Sequence, residues 1–398
     1  MYNLTDKNVV LGVSGSIAAY KAAGLASKLT QAGAAVDAVL TPAAAKFVSP
    51  LTFQSLTGRP AYVDMFDTAS GASELHIELA RRADVLVVAP ASATTIARLA
   101  LGLAEDMVSL TALATRAPIA VCPAMDPQMY EHAATQGHLQ TLRDRGVHII
   151  GPEVGRLASG HSGAGRMSEV DTIMGALRYV LGVGGDLAGK KVVVSAGGTR
   201  ESIDPVRFIG NYSSGKMGYA VAEAARDRGA EVVLVAGETA LPEPYAVRLV
   251  PVRRAAEMRD AVLAEAADAD VLIMAAAVAD YQPAEPIGQK IKRRGEGLSL
   301  SLVHTPDIIA EVARREGLVK VGFAAESEDL LANARRKLDD KGLDLIAAND
   351  ITAGDAGFGA DTNRVTLIDR DGEEELPLMG KYDVAQRILD RVAAIARR

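Results

Sequence analysis

The sequence predicts an α/β protein built from two doubly wound, mainly parallel, three-layer domains. Two observations carry this: the chain begins the same plan twice, and its apolar runs are continuous rather than alternating. Asn8 to Val13 (NVVLGV) is a β-branched run that breaks at Gly12 and Gly15. An amphipathic stretch then runs from Ile17 to Gln31, stops at Gly33 and gives way to a second run, AVDAVL. From residue 190 the plan returns as KKVVVSAGG, an insertion, a helical stretch from Met217 to Arg228, the stop Gly229 and EVVLVAG. Strand, Gly-rich turn, helix, strand is the signature of a βαβ unit.

Further strands are expected at Asp84 to Ala89, Pro118 to Val121 and Val147 to Ile150, and in the second half at Val271 to Ala276, Val319 to Phe323 and Leu343 to Ala348. Continuous apolar runs of this kind suit central parallel strands with both faces covered. Near the end, NRVTLID (Asn363 to Asp369) and LPLM read as a hairpin turning at Asp371-Gly372, before a closing helix from Asp383 to Arg397. Leu181 to Gly189 (LGVGGDLAG) has four Gly in nine residues and no apolar periodicity, so it reads as the linker between domains at 1–185 and 186–398.

Length agrees, since 398 residues give two or three domains of ordinary size. With Lys+Arg 43 against Asp+Glu 50 and a net charge of −7, the chain lacks the concentrated cations of a nucleic-acid binder. The longest apolar run, Val271 to Ala279, spans nine residues, against roughly 20 for a membrane helix, so no membrane association is expected. A single Cys excludes an internal disulfide, and the N-terminus has neither the basic nor the apolar region of a secretory signal. A cytoplasmic protein is the expectation.

In open sheets of this kind, ligands bind beyond the carboxyl ends of the strands. After the first strand comes GVSGSIAAYK, which is not a G-x-G-x-x-G fingerprint; Ser14, Gly15 and Ser16 before a helix make either a seat for one phosphate or simply a tight turn. Thr41 ends the second strand, and Ser92, Thr94 and Thr95 (APASATT) end a later one. Three hydroxyl-rich strand ends on one sheet favour a phosphorylated cofactor. His76 lies near the start of a helix with no metal-ligand partner at helical spacing, which leaves a structural or a catalytic role open. In the second half, GNYSSGK (Gly210 to Lys216) matches seven positions of a Walker pattern, but Met217 replaces its hydroxyl and no strand is expected before it. It remains an anion cradle. Asp280 and Tyr281 follow a strand and lead to the basic run QKIKRR, which is either a solvated face or a polyphosphate site. Lys337 and Lys341 share one helical face.

The succession SGSIAAYK, His76 before IEL, APASATTIARLALGLAEDMVS, PAMDPQMY and GRLASGHSGAGRM resembles the flavin-dependent cysteine decarboxylases. The resemblance implies a flavodoxin-like flavoprotein domain with FMN at these strand ends and His76 as the catalytic base or its positioner. It further implies that the Pro-Ala-Met-Asp loop holds the substrate carboxylate, with Met125 and Asp126 at the motif positions, and that a flap ahead of G-x-G-R-M delivers a proton. FMN is needed because an α-amino carboxylate has no electron sink until its thiol is oxidised. The chain departs from that family at two points. Asp126 stands where Asn is usual, and Ser159 stands where the flap Cys would be. An ionised Asp126 repels a carboxylate, so it is protonated, turned aside, or replaced by a donor such as Arg166. Cys122 is either a substitute thiol or a small buried hydrophobe.

In the second half, SAGGTRESIDPVRFIGNYSSGKMG, AAAVADY, QKIKR, TPDI, VGFAAE and LIAANDI resemble phosphopantothenate-cysteine ligase. The resemblance implies a Rossmann-like ligase domain that activates a carboxylate with CTP as an acyl-cytidylate. Asn211 then contacts the intermediate; Asp280 and Lys290 bind CTP, Asp280 through Mg²⁺ as well; Pro306, Asp307, Ile308, Ile309, Phe323, Lys337 and Lys341 also bind the nucleotide; Lys216 faces substrate. Decarboxylase followed by ligase in one chain is the arrangement of the bifunctional enzymes of bacterial coenzyme A biosynthesis. That implies 4′-phosphopantothenate, L-cysteine and CTP as substrates and a homododecamer of trimers and dimers. Two alternatives stand beside it: a ligase whose flavin domain is only an assembly scaffold, and a non-catalytic flavoprotein regulator.

Overall fold

An apolar run that is continuous along its length can bury both faces only as a central strand between two helical layers. The computed structural model describes residues 4–66, 74–157, 160–292, 298–313, 315–326, 329–350 and 359–397. The chain divides into two units at Leu181 and Gly182, and each forms such layers by itself.

The first unit runs β1 (Asn8–Val13), α1 (Ala19–Gln31), β2 (Ala35–Leu40), α2 (Pro50–Thr57), β3 (Ala61–Tyr62), α3 (Leu75–Arg82), β4 (Val85–Ala91), α4 (Ala93–Leu101), α5 (Met107–Ala114), β5 (Ile119–Pro123), α6 (Pro127–Glu131), α7 (Ala133–Asp144) and β6 (His148–Ile149). The sheet order is β3-β2-β1-β4-β5-β6, parallel throughout. The chain therefore moves outward from β1 to β3 and returns on the other side at β4, opening a crevice between the carboxyl ends of β1 and β4. An antiparallel ribbon, β7 (Glu153–Arg156) and β8 (Ser162–Arg166), follows, and then α8 (Val170–Gly182). The one charge inside AVDAVL, Asp37, is buried and tolerated because Arg59 and Arg82 each reach it at 2.8 Å.

The second unit runs β9 (Lys191–Ala196), β10 (Arg200–Ser202), β11 (Phe208–Gly210), α9 (Lys216–Arg226), β12 (Glu231–Ala236), β13 (Arg248–Pro251), α10 (Ala255–Glu265), β14 (Val271–Met274), β15 (Tyr281–Pro283), β16 (Leu302–His304), α11 (Ile308–Val312), β17 (Val319–Glu326), α12 (Leu330–Asp340), β18 (Leu345–Asp350), β19 (Thr362–Asn363), β20 (Val365–Asp369), β21 (Gly372–Glu375), β22 (Met379–Gly380) and α13 (Lys381–Ile395). Its main sheet is ordered β13-β12-β9-β14-β17-β18-β20-β21, with β20 and β21 antiparallel at the edge. The order reverses between β9 and β14, as it does between β1 and β4.

Two expectations are corrected. Leu181 to Gly189 is not a free linker: Leu187 is buried in the core of the second unit, and a Cβ on Gly185 would stand 2.5 Å from the Arg228 carbonyl oxygen. The second arm of the terminal hairpin is GEEE rather than LPLM. It is an edge strand whose glutamates meet arginines, Glu373 with Arg335 at 2.8 Å and Glu374 with Arg391 at 3.2 Å.

Helix-on-sheet spacing sets a contrast between two helical glycines. Gly218, in α9, lies so close to β9 that a Cβ would be 2.5 Å from the Ala196 Cβ, whereas Gly24, in α1, has only a Val170 methyl at 3.8 Å. We expect Gly218→Ala to cost about 1–3 kcal/mol through overpacking and Gly24→Ala to gain about 0.5–1 kcal/mol from helix propensity. Urea unfolding midpoints of the two variants will move in opposite directions.

Candidate active sites

In the first unit the crevice is closed at its base by one hydroxyl. Ser14 is fully buried; its Oγ donates to the Pro90 carbonyl at 2.8 Å and accepts from the Ser92 amide at 2.8 Å. This corrects the expectation that Ser14 offers its hydroxyl to a ligand: the group ties the end of β1 to the end of β4. Gly15 is required next, since its Cβ would lie 2.6 Å from that of Ala43. The Ser16 hydroxyl accepts from the Ala18 amide at 3.2 Å, and among the described residues no acceptor is found for the amides of Gly15, Ser16 and Ile17. Thr41 accepts from the Ala44 amide at 3.1 Å, and Ser92 caps α4 by accepting from the Thr95 amide at 3.3 Å. Thr94 is exposed in the first turn of α4. Two helix N-termini, those of α1 and α4, thus leave adjacent strands with unpaired amides and positive dipole ends. That arrangement fits a phosphate monoester such as the phosphate of FMN.

His76 sits half-buried in the first turn of α3. Beyond β5, the Asp126 carboxylate is turned aside: Oδ1 caps α6 by accepting from the Gln128 amide at 3.1 Å, and Oδ2 is 3.6 Å from Nδ1 of His161. The Met125 side chain packs into the core, and its amide donates to the Gly165 carbonyl at 3.0 Å. Arg166 does not reach Asp126; it donates to Glu169. Lys21 also binds Glu169, at 3.0 Å, and with Arg166 holds this carboxyl below the usual range. Cys122 is fully buried, and burial pushes its thiol up, so it is the packed hydrophobe and not a proton donor. Ser159 lies outside the described residues.

In the second unit, the segments after β9 and β14 are stitched together across the strand-order reversal. Ser195 Oγ accepts from the Ala276 amide at 3.1 Å, the Ala277 amide donates to the Gly197 carbonyl at 2.8 Å, and Thr199 Oγ1 accepts from the Ala279 amide at 2.9 Å. Asn211 joins this crevice, donating from Nδ2 to the Val278 carbonyl at 3.0 Å. A Cβ on Gly198 would lie 2.8 Å from the Asn211 carbonyl oxygen, so glycine is the residue that lets the two loops touch. Gly210 to Lys216 is preceded by β11, which pairs only with β10 outside the main sheet, and the setting of a Walker loop is missing. Lys216 opens α9 and donates to Asp361 at 2.6 Å and to the Gly359 carbonyl at 2.9 Å.

Asp280 and Lys290 are exposed. Next to Lys290, the backbone of Ile291 is held on both sides: its amide donates to Asp204 at 3.1 Å, and Arg207 donates to its carbonyl at 2.9 Å. The Asp204 side chain is buried, and hydrogen bonds from Arg207 and three backbone amides hold its carboxyl well below the usual range. Sequence reasoning passed over Asp204 and Arg207, although an Asp-Pro-x-Arg run offers this local pairing. On the neighbouring edge Asp307 caps α11 through the Ala310 amide at 3.1 Å and pairs with Lys341, while Lys337 donates to the Phe323 carbonyl at 2.9 Å. Against its partial burial, Lys341 and the Ala310 amide hold the Asp307 carboxyl below the usual range. Pro306 is half-buried just before this turn. At this helix start Ile308 is buried in the core and the half-buried Ile309 packs against it. Among the described residues no three His, Cys, Asp or Glu side chains form a metal cage.

Two family models match the chain: that of the flavoproteins over residues 1–181, and that of the DNA/pantothenate metabolism flavoprotein C-terminal domain over 187–395. The Coenzyme A biosynthesis bifunctional protein CoaBC of Bacillus subtilis is 45% identical, with 99% of this chain and 98% of that protein covered. Its Escherichia coli counterpart is 44% identical over 98% of this chain and 97% of its own. A crystal structure of the C-terminal domain of such a protein is 40% identical over 53% of this chain and 98% of that one, with a TM-score of 0.46.

The Asp204 clamp gives a signed pH dependence. A carboxyl whose folded pKa is depressed adds stability above its unfolded value of about 4, and that stability fades as the pH falls through the folded value. Asp204→Asn should therefore be less stable than the parent at pH 7, with the gap narrowing in acid. Denaturation midpoints at neutral and acidic pH check this.

Proposed function

The chain belongs to the family of bifunctional coenzyme A biosynthesis proteins, and we propose that its two units divide that work. Residues 186–398 join 4′-phosphopantothenate to L-cysteine with CTP, and residues 1–185 decarboxylate the product to 4′-phosphopantetheine with FMN. The chain is a bifunctional enzyme, a ligase and a decarboxylase. The observation that carries the division is that each unit has its own strand-order reversal, with the unpaired amides of Gly15 to Ile17 beside one and Asn211 bonded across the other.

In the ligase, the substrate carboxylate attacks the α-phosphate of CTP, pyrophosphate leaves, and the cysteine amine then displaces CMP from the acyl-cytidylate. Lys290, Lys337 and Lys341 offset the triphosphate charge, for which Lys341 exchanges Asp307 and Lys337 exchanges a carbonyl for phosphate oxygens. Asp280 would supply a carboxylate to Mg²⁺, which would offset the triphosphate charge. Asn211 presents an amide donor where charge develops on the acyl group. Lys216, at the start of α9, is placed for the substrate phosphate.

In the decarboxylase, the amides of Gly15, Ser16 and Ile17 and the start of α4 hold the FMN phosphate. Bound FMN supplies the two-electron oxidation that makes the substrate thiol an electron sink. His76 is the general base or its positioner. The ligase must act first, because the carboxylate lost as CO₂ enters with the cysteine. The assembly is a homododecamer of trimers and dimers in the cytoplasm; among the described residues no helix is long and apolar enough to cross a membrane.

Purified protein should show flavin absorbance, release pyrophosphate only when CTP, 4′-phosphopantothenate and cysteine are all present, and release CO₂ from phosphopantothenoylcysteine. Pyrophosphate without CO₂ would establish instead a ligase with a flavin scaffold, a reading favoured by Asp126 and by Ser159 in place of a thiol. Lys290→Gln should raise KM for CTP roughly 10- to 100-fold, as loss of a charged hydrogen bond predicts. Asn211→Asp should let acyl-cytidylate form and accumulate while amide formation slows, as followed by quenched-flow analysis of CMP-bound species.

A further inference from the structure

We propose that His161, paired with Asp126, is the proton donor that completes the decarboxylation; the inference rests on the decarboxylase reading above. Losing CO₂ breaks a carbon–carbon bond and leaves its electron pair on the carbon. The saturated product forms only when that carbon gains a proton, so the site needs an acid that releases one near neutral pH.

The structure narrows the choice. Cys122, the chain's single thiol, is fully buried with its thiol pushed up. Arg166 never gives up its proton and is bound by Glu169. Lys21 is bound by Glu169 and by the Met167 carbonyl at 3.2 Å. A serine hydroxyl, as at Ser159, is too weak an acid. Among the described residues of the ribbon and its turn, His161 carries the one imidazole, the side-chain type that most often serves as a general acid.

Its setting is built rather than incidental. The Leu157 amide donates to the His161 carbonyl at 2.8 Å, which closes the turn between β7 and β8. The Met125 amide on the Gly165 carbonyl ties the loop after β5 to β8, and a Cβ on Gly163 would stand 2.8 Å from Pro127, so the ribbon and the loop pack directly. Across that packed pair His161 Nδ1 lies 3.6 Å from Asp126 Oδ2, an ion-pair distance, while Oδ1 is fixed by its cap on α6. His161 is 69% exposed at its side chain and Asp126 27%, so the imidazole edge away from the carboxylate is open.

This pairing gives Asp126 a purpose. Alone, its charge repels a substrate carboxylate; with an imidazolium, the pair is neutral, and the carboxylate fixes which nitrogen faces outward, as in carboxylate-histidine pairs generally. In the step, the Nε2–H bond breaks and a C–H bond forms at the carbon that lost CO₂, while the two electrons taken from the thiol at the outset by bound FMN would return as hydride to the sulfur-bearing carbon to give the saturated thiol. The imidazole then takes a proton from water, and the net change is one proton consumed per CO₂ released. Asp126 is a positioning residue, and His161 meets the reacting carbon.

The test compares the parent, His161→Gln, Asp126→Asn and His161→Gln with Ser159→Cys, each checked for parental flavin absorbance. The expected result is that His161→Gln still releases CO₂ but forms saturated thiol about 100-fold or more slowly, in the range of general-acid effects. The added thiol of Ser159→Cys restores part of the loss. A ratio of thiol to CO₂ unchanged in His161→Gln overturns the donor role while leaving the decarboxylase intact; a parent that releases no CO₂ overturns the decarboxylase reading and this one with it. In flavin-free protein, Asp126→Asn should shift the imidazole ¹⁵N resonances of His161. Unmoved resonances overturn the pairing.

Discussion

Both crevices exist because a sheet that reverses its strand order must be held together where its helices part. At such a point the loops leave to opposite faces, and the carboxyl ends of two neighbouring strands lose the backbone partners that continue the ladder elsewhere. One buried serine repairs each gap. Ser14 bonds both the Pro90 carbonyl and the Ser92 amide, and Ser195 takes the Ala276 amide. A larger residue would force the strands apart, and an alanine would leave the part-buried Ser92 or Ala276 amide without its bond, at up to about 1–3 kcal/mol, while the Pro90 carbonyl keeps the Ser14 amide at 3.1 Å. The ligand-facing amides and side chains beyond these serines inherit their positions from the two bridges.

The sheet strands were legible because burial on both faces writes itself as unbroken Val, Leu, Ile and Ala runs. AVDAVL kept its strand despite Asp37, since the rest of the run outweighs one paired charge. What the sequence hid is what depends on partners far along the chain. Ser14 and Ser16 look alike in GVSGS, yet one hydroxyl is a buried bridge and the other a local cap. The ribbon of β7 and β8 has no apolar face to announce it, and its glycines matter only because Pro127 and Met125 pass beside them. GEEE reads as a charged turn until Arg335, Arg387 and Arg391 are seen beside it. The ligase motifs could be read as an ordered set, but not the fact that Asp204 and Arg207 grip Ile291 and so set the course of the basic run.

The cations of the second crevice are already spoken for. Lys216 is held by Asp361, Lys341 by Asp307, and Lys337 by a carbonyl. Surface pairs of this kind are worth about 0–1 kcal/mol each, so a polyphosphate can displace them readily. The arrangement favours a multiply charged ligand over a single carboxylate, which would gain too little to break the pairs.

That difference explains why the two crevices solve anion binding in opposite ways. A phosphate monoester carries at most two charges. The first unit meets it with two helix N-termini, each equivalent to about half a positive charge, and with unpaired amides. A triphosphate carries roughly twice that charge along a chain of three phosphorus centres, more than a helix end can offset, and so demands lysines and a divalent ion.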